Sequence, residues 1–284
     1  MKPSILTLVR GREKHLERML RGCLTQTRQP TEIVVALMQD EVPDLPSELL
    51  NEVELVHVAA DHLPLAEARN AAAARATGDL FVFLDVDCIP GPDFLAEAAA
   101  AARDDRCLTG DCRYLGANAA QAEGFDALWD LAVRHPARPS PPPDGKPYTL
   151  KEMTELWSLA FAVPRGAFEK VGGFDAEFEG YGGEDTDFAY RLGKVVSELL
   201  FVPGMRAVHQ WHRVAIPPLH HFDDIVRNAL LFRQKHGRWC MDYWLGQLAE
   251  RGLVRWTEDE LTVLRRPSGD ELEAAWQGPG VRFS

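Results

Sequence analysis

Residues 79–87 read Asp-Leu-Phe-Val-Phe-Leu-Asp-Val-Asp, an apolar run that begins after Asp79 and ends on two aspartates, Asp85 and Asp87. Consecutive apolar residues between polar ends are typical of a strand that is buried on both faces, as in a parallel sheet. Ligands of open α/β sheets bind beyond the carboxyl ends of such strands. The run therefore predicts an α/β fold and places a candidate site at the two aspartates.

The sequence around this run alternates between strand and helix patterns. We expect strands over Ser4–Val9, Glu32–Leu37, Val53–Ala59 and Asp79–Leu84, and helices over His15–Thr25, Leu65–Ala76 and Pro92–Ala102. Further on, a strand pattern covers Leu156–Val163, a helix pattern covers Phe168–Gly173, and the tail from Asp223 is helical by its spacing. This order predicts a mainly parallel sheet flanked by helices, with a helical C-terminal extension.

Composition narrows the class of protein. The 284 residues include 31 Lys and Arg against 43 Asp and Glu, a net charge of −12, which argues against a nucleic-acid-binding protein. The first residues do not form a signal peptide, and no apolar run approaches the roughly 20 residues of a membrane span. We therefore expect a cytoplasmic globular protein. Five scattered cysteines predict buried thiols rather than a disulfide framework.

Asp85 and Asp87 form the first candidate site. Two carboxylates at one strand end repel each other unless a cation relieves them, and Mg²⁺ or Mn²⁺ shared with phosphate oxygens is the natural occupant. For an isolated Asp-x-Asp, however, a solvated turn before the next helix is the more common explanation.

The second candidate site reads Gly-Tyr-Gly-Gly-Glu-Asp-Thr-Asp over residues 180–187. Clustered glycines let the backbone approach a ligand closely. A helix pattern starts directly after this run, so its N-terminus favours an ionised Asp185 that can accept a proton. The alternative is a plain helix cap, but a cap needs one acidic residue rather than three.

A strand pattern that ends at His209 supplies the third candidate. Such a strand can return an imidazole to the same cleft as a metal ligand. A zinc pair of His209 and His212 is an alternative, although no third ligand at helical spacing accompanies them.

Together and in order, these motifs resemble the nucleotide-sugar-dependent glycosyltransferases of the GT-A fold, family 2 and its relatives, including the metal-dependent inverting β1,4-galactosyltransferases. The resemblance spans about residues 4–212. The residues that carry it are Thr7–Arg12, Ala68–Asn70, Gly78–Asp79, Phe83–Asp87, Gly172–Asp175, Tyr181–Asp185 and His209.

The resemblance implies roles for individual residues. Asp87 and His209 would hold a Mn²⁺ or Mg²⁺ ion, Asp185 would be the general base, and Glu184 would orient the acceptor beside Tyr181 and Gly183. The donor-binding residues would be Thr7, Val9, Arg10, Arg12, Asp40, Arg69, Asp79, Asp85 and Val86. Residues 1–212 would form the GT-A catalytic domain, with residues 134–148 as a mobile loop and residues 213–284 as a helical extension packed on it.

The function implied by the resemblance is transfer of a sugar, with inversion, from a nucleotide-sugar to a hydroxyl of a saccharide or glycolipid acceptor in bacterial polysaccharide or glycoconjugate synthesis. Many relatives carry an Asp pair after the second strand, where the first Asp reads uracil, whereas this chain offers only Asp40 farther along the loop. UDP is therefore the preferred donor nucleotide, and GDP and a deoxythymidine carrier stay open.

Other functions fit the sequence less well. A nucleotidyltransferase would need a longer Gly-rich loop than Gly11-Arg12, and a degenerate sugar-nucleotide or glycan-binding module would not need a base beside an acceptor. A glycosidase also pairs carboxylates but has no use for a diphosphate-binding metal. Peripheral membrane association through the few basic residues of 213–240 is the less favoured expectation.

Overall fold

The computed structural model describes residues 1–283, except for the side chains of residues 120 and 121, and is built on one large sheet. The strands are β1 (Pro3–Val9), β2 (Glu32–Leu37), β3 (Glu54–His57), β4 (Leu80–Leu84), β5 (Cys88–Pro90), β6 (Arg106–Tyr114), β7 (Val133–Arg134), β8 (Tyr148–Thr149), β9 (Ala160–Pro164), β10 (Glu198–His209), β11 (Val254–Trp256) and β12 (Leu261–Val263).

Ten α-helices accompany these strands within residues 1–283. They are α1 (Glu13–Leu24), α2 (Ser47–Leu50), α3 (Leu65–Arg75), α4 (Phe94–Ala101), α5 (Phe125–Leu131), α6 (Arg165–Val171), α7 (Glu184–Leu192), α8 (Phe222–His236), α9 (Asp242–Glu250) and α10 (Gly269–Ala275). Short 3₁₀ turns lie at Ala117–Gln121, Met153–Glu155 and Leu219–His221.

The main sheet runs in the order β3-β2-β1-β4-β9-β6-β10-β5. The pairs β3–β2, β2–β1, β1–β4 and β6–β10 are parallel, whereas β9 is antiparallel to both of its neighbours. The expected mixed α/β class with a mostly parallel sheet is therefore confirmed. Because β1, β4 and β10 run in the same direction, their carboxyl ends meet at one edge.

Helices cover both faces of the sheet. Leu16, Met19 and Leu20 of α1 join Phe94 of α4 in the core on one face. On the other face the core contains Ala68 and Ala72 of α3, with side chains of α6 and α7. The small alanines of α3 allow the helix to lie close to the sheet, which brings its polar residues to the edge where the strands end.

An aromatic cluster on the second face fixes the segment that leads into α7. Phe83 stacks on Phe161 with ring centroids 4.8 Å apart, and Phe174 stacks on Phe188 at 4.2 Å. Aromatic pairs of this kind contribute about 0.5–1.5 kcal/mol beyond the burial of their surface. Since Phe174 and Phe188 flank residues 175–187, their contact holds both ends of the glycine-rich segment.

The C-terminal residues pack around a third hydrophobic cluster of their own. It includes Phe222 and Ile225 of α8, Leu245 of α9 and Val254 of β11. The helical tail expected from Asp223 is present, but the β11–β12 hairpin within it was not predicted. No helix among residues 1–283 has both the length and the apolar character to cross a bilayer.

The sequence also left β6 unassigned, although it lies inside the sheet. Thr109, Asp111 and Arg113 interrupt its apolar pattern. The Asp111 carboxylate can nevertheless be buried, because the Arg134 guanidinium donates to it at 2.6 and 2.9 Å. The Pro-rich residues 134–148 are flanked by β7 and β8, which pair with β6 and β10. Motion of this segment stays a prediction.

Candidate active site

A cavity of about 1090 Å³ lies at the edge where β1, β4 and β10 end. Its walls include the residues after these strands, the start of α7, the start of α9 and the segment around Phe283. Small-molecule sites usually enclose about 300–1,000 Å³. The cavity is therefore large enough for a substrate of nucleotide-sugar size together with part of a second molecule.

Sheet register brings the candidate metal ligands together. In the antiparallel β10–β5 pair, His209 lies opposite Cys88, so its imidazole is next to Asp87. The backbone N–H of Gln210 donates to the backbone carbonyl of Asp87 at 2.7 Å and fixes this register. His209 Nε2 lies 3.3 Å from Asp87 Oδ1, and His212 Nε2 lies 3.6 Å from Asp87 Oδ2.

These three side chains form a candidate metal site. One ligand atom from each of Asp87, His209 and His212 lies within 4.8 Å of the other two. The expected pair of Asp87 and His209 thus gains His212 as a third donor. A carboxylate with two imidazoles suits Mn²⁺ better than Mg²⁺, because Mg²⁺ prefers oxygen ligands and water.

The charge state of the cluster also suits a cation. Burial raises the pKa of Asp87, but His209 and Arg12 outweigh it and hold that pKa below the usual value for aspartate. Burial and the Arg12 guanidinium lower the pKa of His212 to about 4. His212 is therefore neutral at pH 7, which is the form of imidazole that binds a metal. Arg12 also forms an ion pair with Asp87.

Tyr114 supports His209 from the neighbouring strand. The parallel register of β6 and β10 sets Tyr114 opposite His209, and the two rings stack with centroids 4.6 Å apart. Phe283 meets Tyr114 edge-on at 5.6 Å and His135 at 4.6 Å. The C-terminal segment thus forms the wall behind one metal-site imidazole.

Arg69 joins the two acidic motifs across the floor of the cavity. Its guanidinium donates to Glu184 Oε1 at 3.1 Å, to Asp85 Oδ1 at 3.2 Å and to Ser158 Oγ at 2.9 Å. The side chain is almost completely buried. Because the guanidinium is planar and rigid, it fixes the β4 end relative to the start of α7.

Glu184 and Asp185 are adjacent but differ in exposure. Glu184 is buried against Arg69, and burial together with the neighbouring Asp185 raises its pKa to about 7. Asp185 is half-buried and faces the cavity. Its Oδ1 accepts the Thr186 amide at 2.7 Å and the Thr186 hydroxyl at 3.3 Å, which sets its rotamer.

The glycine-rich loop before α7 is clamped by the C-terminal extension. Gly182 has φ +90°, where a side chain is strained, and a Cβ there would lie 2.7 Å from Met241 Sδ. Asn228 Nδ2 of α8 donates to the Glu179 and Gly182 carbonyls at 2.9 and 2.7 Å. The extension therefore fixes the loop that leads into α7 and Asp185.

The cavity is also lined by five residues expected at the donor side, Asp85, Val86, Arg10, Arg12 and Arg69. Burial raises the pKa of Asp85 above its usual value, although Arg69 opposes this shift. Tyr181 and Gly183, expected at the acceptor side, also line the cavity.

Four expected donor residues are not among the described residues that line the cavity, and for Asp79 the expectation is wrong. Asp79 is at the amino end of β4 and contacts the Lys2 amide, so it lies a full strand length from the site. Thr7 and Val9 are buried on the opposite side of β1 from Leu8, which does line the cavity. Asp40 is exposed on the loop after β2.

Several site residues were not found from the sequence. His212 was considered only as an alternative zinc pair with His209, because the sequence does not show that Asp87 lies beside both imidazoles. Tyr114 lies on the unassigned strand β6, and no sequence signal indicated Arg282, Phe283 or Met241–Trp244, which reach the cavity only through tertiary packing.

Comparison with known proteins yields two family matches along the chain. Residues 4–131 match the model described as glycosyl transferase family 2, and residues 147–213 match the one described as the N-terminal domain of galactosyltransferase. Asp87 lies in the first segment, whereas Asp185 and His209 lie in the second.

Two curated relatives are validoxylamine A glucosyltransferases of Streptomyces hygroscopicus, from subspecies limoneus and jinggangensis. Each is 26% identical over 216 residues, which cover 66% of this chain. The chain spans about half the length of these relatives, 47% and 50% respectively.

Solved structures with a similar fold include TarS residues 1–349 of S. aureus in complex with UDP-GlcNAc, with a TM-score of 0.57, 15% identity and coverage of 89% of this chain and 72% of that one. GalNAc-T7 with UDP, GalNAc and Mn²⁺ gives a TM-score of 0.53 at 18% identity, covering 74% and 43%. The chain therefore has a family 2 segment followed by a galactosyltransferase-type segment, on a fold similar to that of GT-A glycosyltransferases.

Proposed function

We propose that the protein is a metal-dependent, inverting glycosyltransferase that moves a sugar from a UDP-sugar to an acceptor hydroxyl. One observation carries this proposal: the Asp87–His209–His212 cluster and Asp185 face the same cavity from different elements. The cluster suits a diphosphate-bound cation, and Asp185 suits an incoming hydroxyl.

The donor half of the cavity would hold the nucleotide diphosphate. When bound at Asp87, His209 and His212, Mn²⁺ or Mg²⁺ would neutralise the charge that develops on the departing nucleoside diphosphate. Arg12 adds a fixed positive charge beside Asp87. This concentration of positive charge explains how a chain with a net charge of −12 can bind a diphosphate.

UDP is the proposed nucleotide because the structural neighbours GalNAc-T7 and TarS are bound to UDP or UDP-GlcNAc. The two curated relatives are named glucosyltransferases, so UDP-glucose is the first donor to test. Asp85, which is held by Arg69 at the cavity floor, would contact the ribose or the sugar.

Asp185 would take the proton of the acceptor hydroxyl as its oxygen attacks the anomeric carbon. A general base must lie within about 3 Å of that hydroxyl, and Asp185, in the first turn of α7, lines the cavity and is more exposed than the buried Glu184. Glu184 would orient the acceptor from its buried position at Arg69. A single base opposite the leaving group gives inversion at the anomeric centre.

The direct test is release of UDP from UDP-glucose, UDP-galactose and UDP-GlcNAc with Mn²⁺, in the presence and absence of validoxylamine A, the compound named for the relatives. We expect the acceptor to accelerate UDP release from one donor, and Asp185→Asn to abolish this acceleration. Product with the anomeric configuration of the donor retained would contradict the inverting mechanism.

A further inference from the structure

The C-terminal extension contributes its own residues to the cavity. Met241, Asp242, Tyr243 and Trp244, at the start of α9, line the same space as Asp185. They lie beyond residue 213, where the second of the two family segments ends. The extension therefore adds side chains to the cavity that lie outside both matched family segments.

Tyr243 is the most conspicuous of these residues. Its exposed fraction is 67%, the highest of the large hydrophobic side chains that the structure describes as exposed, although it lies at the wall of a cavity. An exposed aromatic ring at such a place can bury a large apolar surface when a ligand packs against it. Asp242 beside it forms no ion pair with the described residues, so its carboxylate is available as a hydrogen-bond acceptor.

Trp244 connects this surface to the catalytic loop. The Tyr181 ring is stacked between His221, with centroids 4.3 Å apart, and Trp244, at 5.6 Å. Tyr181 lies in the glycine-rich loop that leads into α7, four residues before Asp185. A ligand ring that contacts Tyr243 and Trp244 is therefore held beside the loop that leads to the candidate base.

The backbone at Met241 locks this arrangement. Met241 has φ +58°, a conformation that non-glycine residues rarely adopt and that typically costs about 1–3 kcal/mol. Its sulfur occupies the space that a side chain at Gly182 would need. Strained residues of this kind cluster at ligand sites, where the surrounding packing holds them.

We propose that Asp242, Tyr243 and Trp244 form an acceptor subsite, the extension subsite, for a polyhydroxylated six-membered ring. The apolar face of the ring packs on Tyr243 and Trp244, and ring hydroxyls donate to the Asp242 carboxylate. This proposal rests on the proposed function and deepens it, because it assigns the acceptor side of the cavity to the extension.

The test uses the full chain with Mn²⁺ and saturating UDP, and titrates cellobiose as a two-ring probe by calorimetry. We expect Tyr243→Ala to weaken cellobiose binding by at least about tenfold, and Asp242→Ala to weaken it as well. Tyr243→Phe keeps the ring and should retain wild-type affinity. Leu264→Ala is the control, because Leu264 is 55% exposed on the same extension and is not among the residues that line the cavity.

UDP affinity is measured in parallel for every variant and separates the two proposals. The extension subsite is overturned if the wild-type protein binds UDP but not cellobiose. It is also overturned if Tyr243→Ala binds cellobiose with wild-type affinity. If no variant and no wild-type sample binds UDP, the proposed function itself fails.

Discussion

Asp87 and Glu184 face the same cavity, yet their surroundings shift their pKa values in opposite directions. Both side chains are buried, which favours the neutral form of each. Around Asp87, His209 and Arg12 overcome this effect and lower the pKa. Around Glu184, the neighbouring Asp185 adds to the effect of burial, and Arg69 only partly opposes it, so the pKa rises to about 7.

Under the proposed function, this difference would let one acidic cavity support two kinds of chemistry. The Asp87 region is arranged to keep a carboxylate ionised for a cation, with ligands from strands that are far apart in sequence. In the Glu184–Asp185 region, the pKa of Glu184 is about 7, and Asp185 faces the proposed acceptor side of the cavity.

The largest expected effect tests the acceptor side. Asp185→Asn keeps the size and the Thr186 contacts of the side chain but removes its basicity. We expect kcat to fall by about 10²–10⁴-fold, with donor affinity nearly unchanged. Transfer rate and UDP affinity should be measured on the same samples; a loss of affinity as large as the loss of rate would show that Asp185 binds the donor instead.

The next effect tests the metal side. Asp87→Ala removes the only carboxylate of the three-residue cluster, and we expect Mn²⁺ affinity to fall by about 100-fold. His212→Ala should also weaken Mn²⁺ binding, because His212 is the third donor. Calorimetry or the electron paramagnetic resonance of free Mn²⁺ measures this directly. If His212→Ala binds Mn²⁺ with wild-type affinity, His212 is not a ligand and the site consists of Asp87 and His209 alone.

A smaller effect tests the clamp between the two regions. Asn228→Ala leaves the Gly182 carbonyl without its side-chain donor and the Glu179 carbonyl with Arg227 as its side-chain donor, so we expect the free energy of unfolding to fall by about 1–3 kcal/mol. Leu230→Ala on the same helix is the matched control, because Leu230 is 43% exposed. Urea unfolding of both variants measures the difference, and equal stability would rule out the clamp.

The smallest effect concerns pH. Since the pKa of Glu184 is raised from 4.5 to about 7, the folded state binds its proton more tightly than the unfolded chain does. The contribution of Glu184 to stability is therefore fully present below about pH 4.5 and is lost as the pH rises to about 7. Glu184→Gln should remove this slope from the free energy of unfolding. An identical pH dependence in both proteins would show that Glu184 titrates normally.

The strands that are continuous apolar runs could be predicted from the sequence. Glu32–Leu37 matches its predicted bounds, and Ser4–Val9 and Asp79–Leu84 differ from the structure by one residue. These runs are recognisable because helices bury both faces of each strand. The polar residues of β6 concealed a strand that is equally buried, because its charges are paired only through tertiary contacts such as that between Asp111 and Arg134.

The candidate site could be predicted only as far as its local motifs reach. Asp85, Asp87, Glu184, Asp185 and His209 come together as expected, since each lies at a strand or helix end on one edge of the sheet. The position of Asp79 was wrong because a strand separates it from that edge. Motif analysis could not identify Tyr114, Tyr243 and Phe283. These residues line the cavity only because strand register and tertiary packing bring distant segments together.

The central claim is that Asp87, His209 and His212 form a metal-dependent nucleotide site. Calorimetric titration of the wild-type protein with UDP, GDP and dTDP, each with Mn²⁺ and with EDTA, tests it most directly. The structure predicts that UDP binds with Mn²⁺ and at least about tenfold more weakly with EDTA. Equal affinity for UDP in EDTA, or no binding of any nucleotide by the folded protein, would contradict the account.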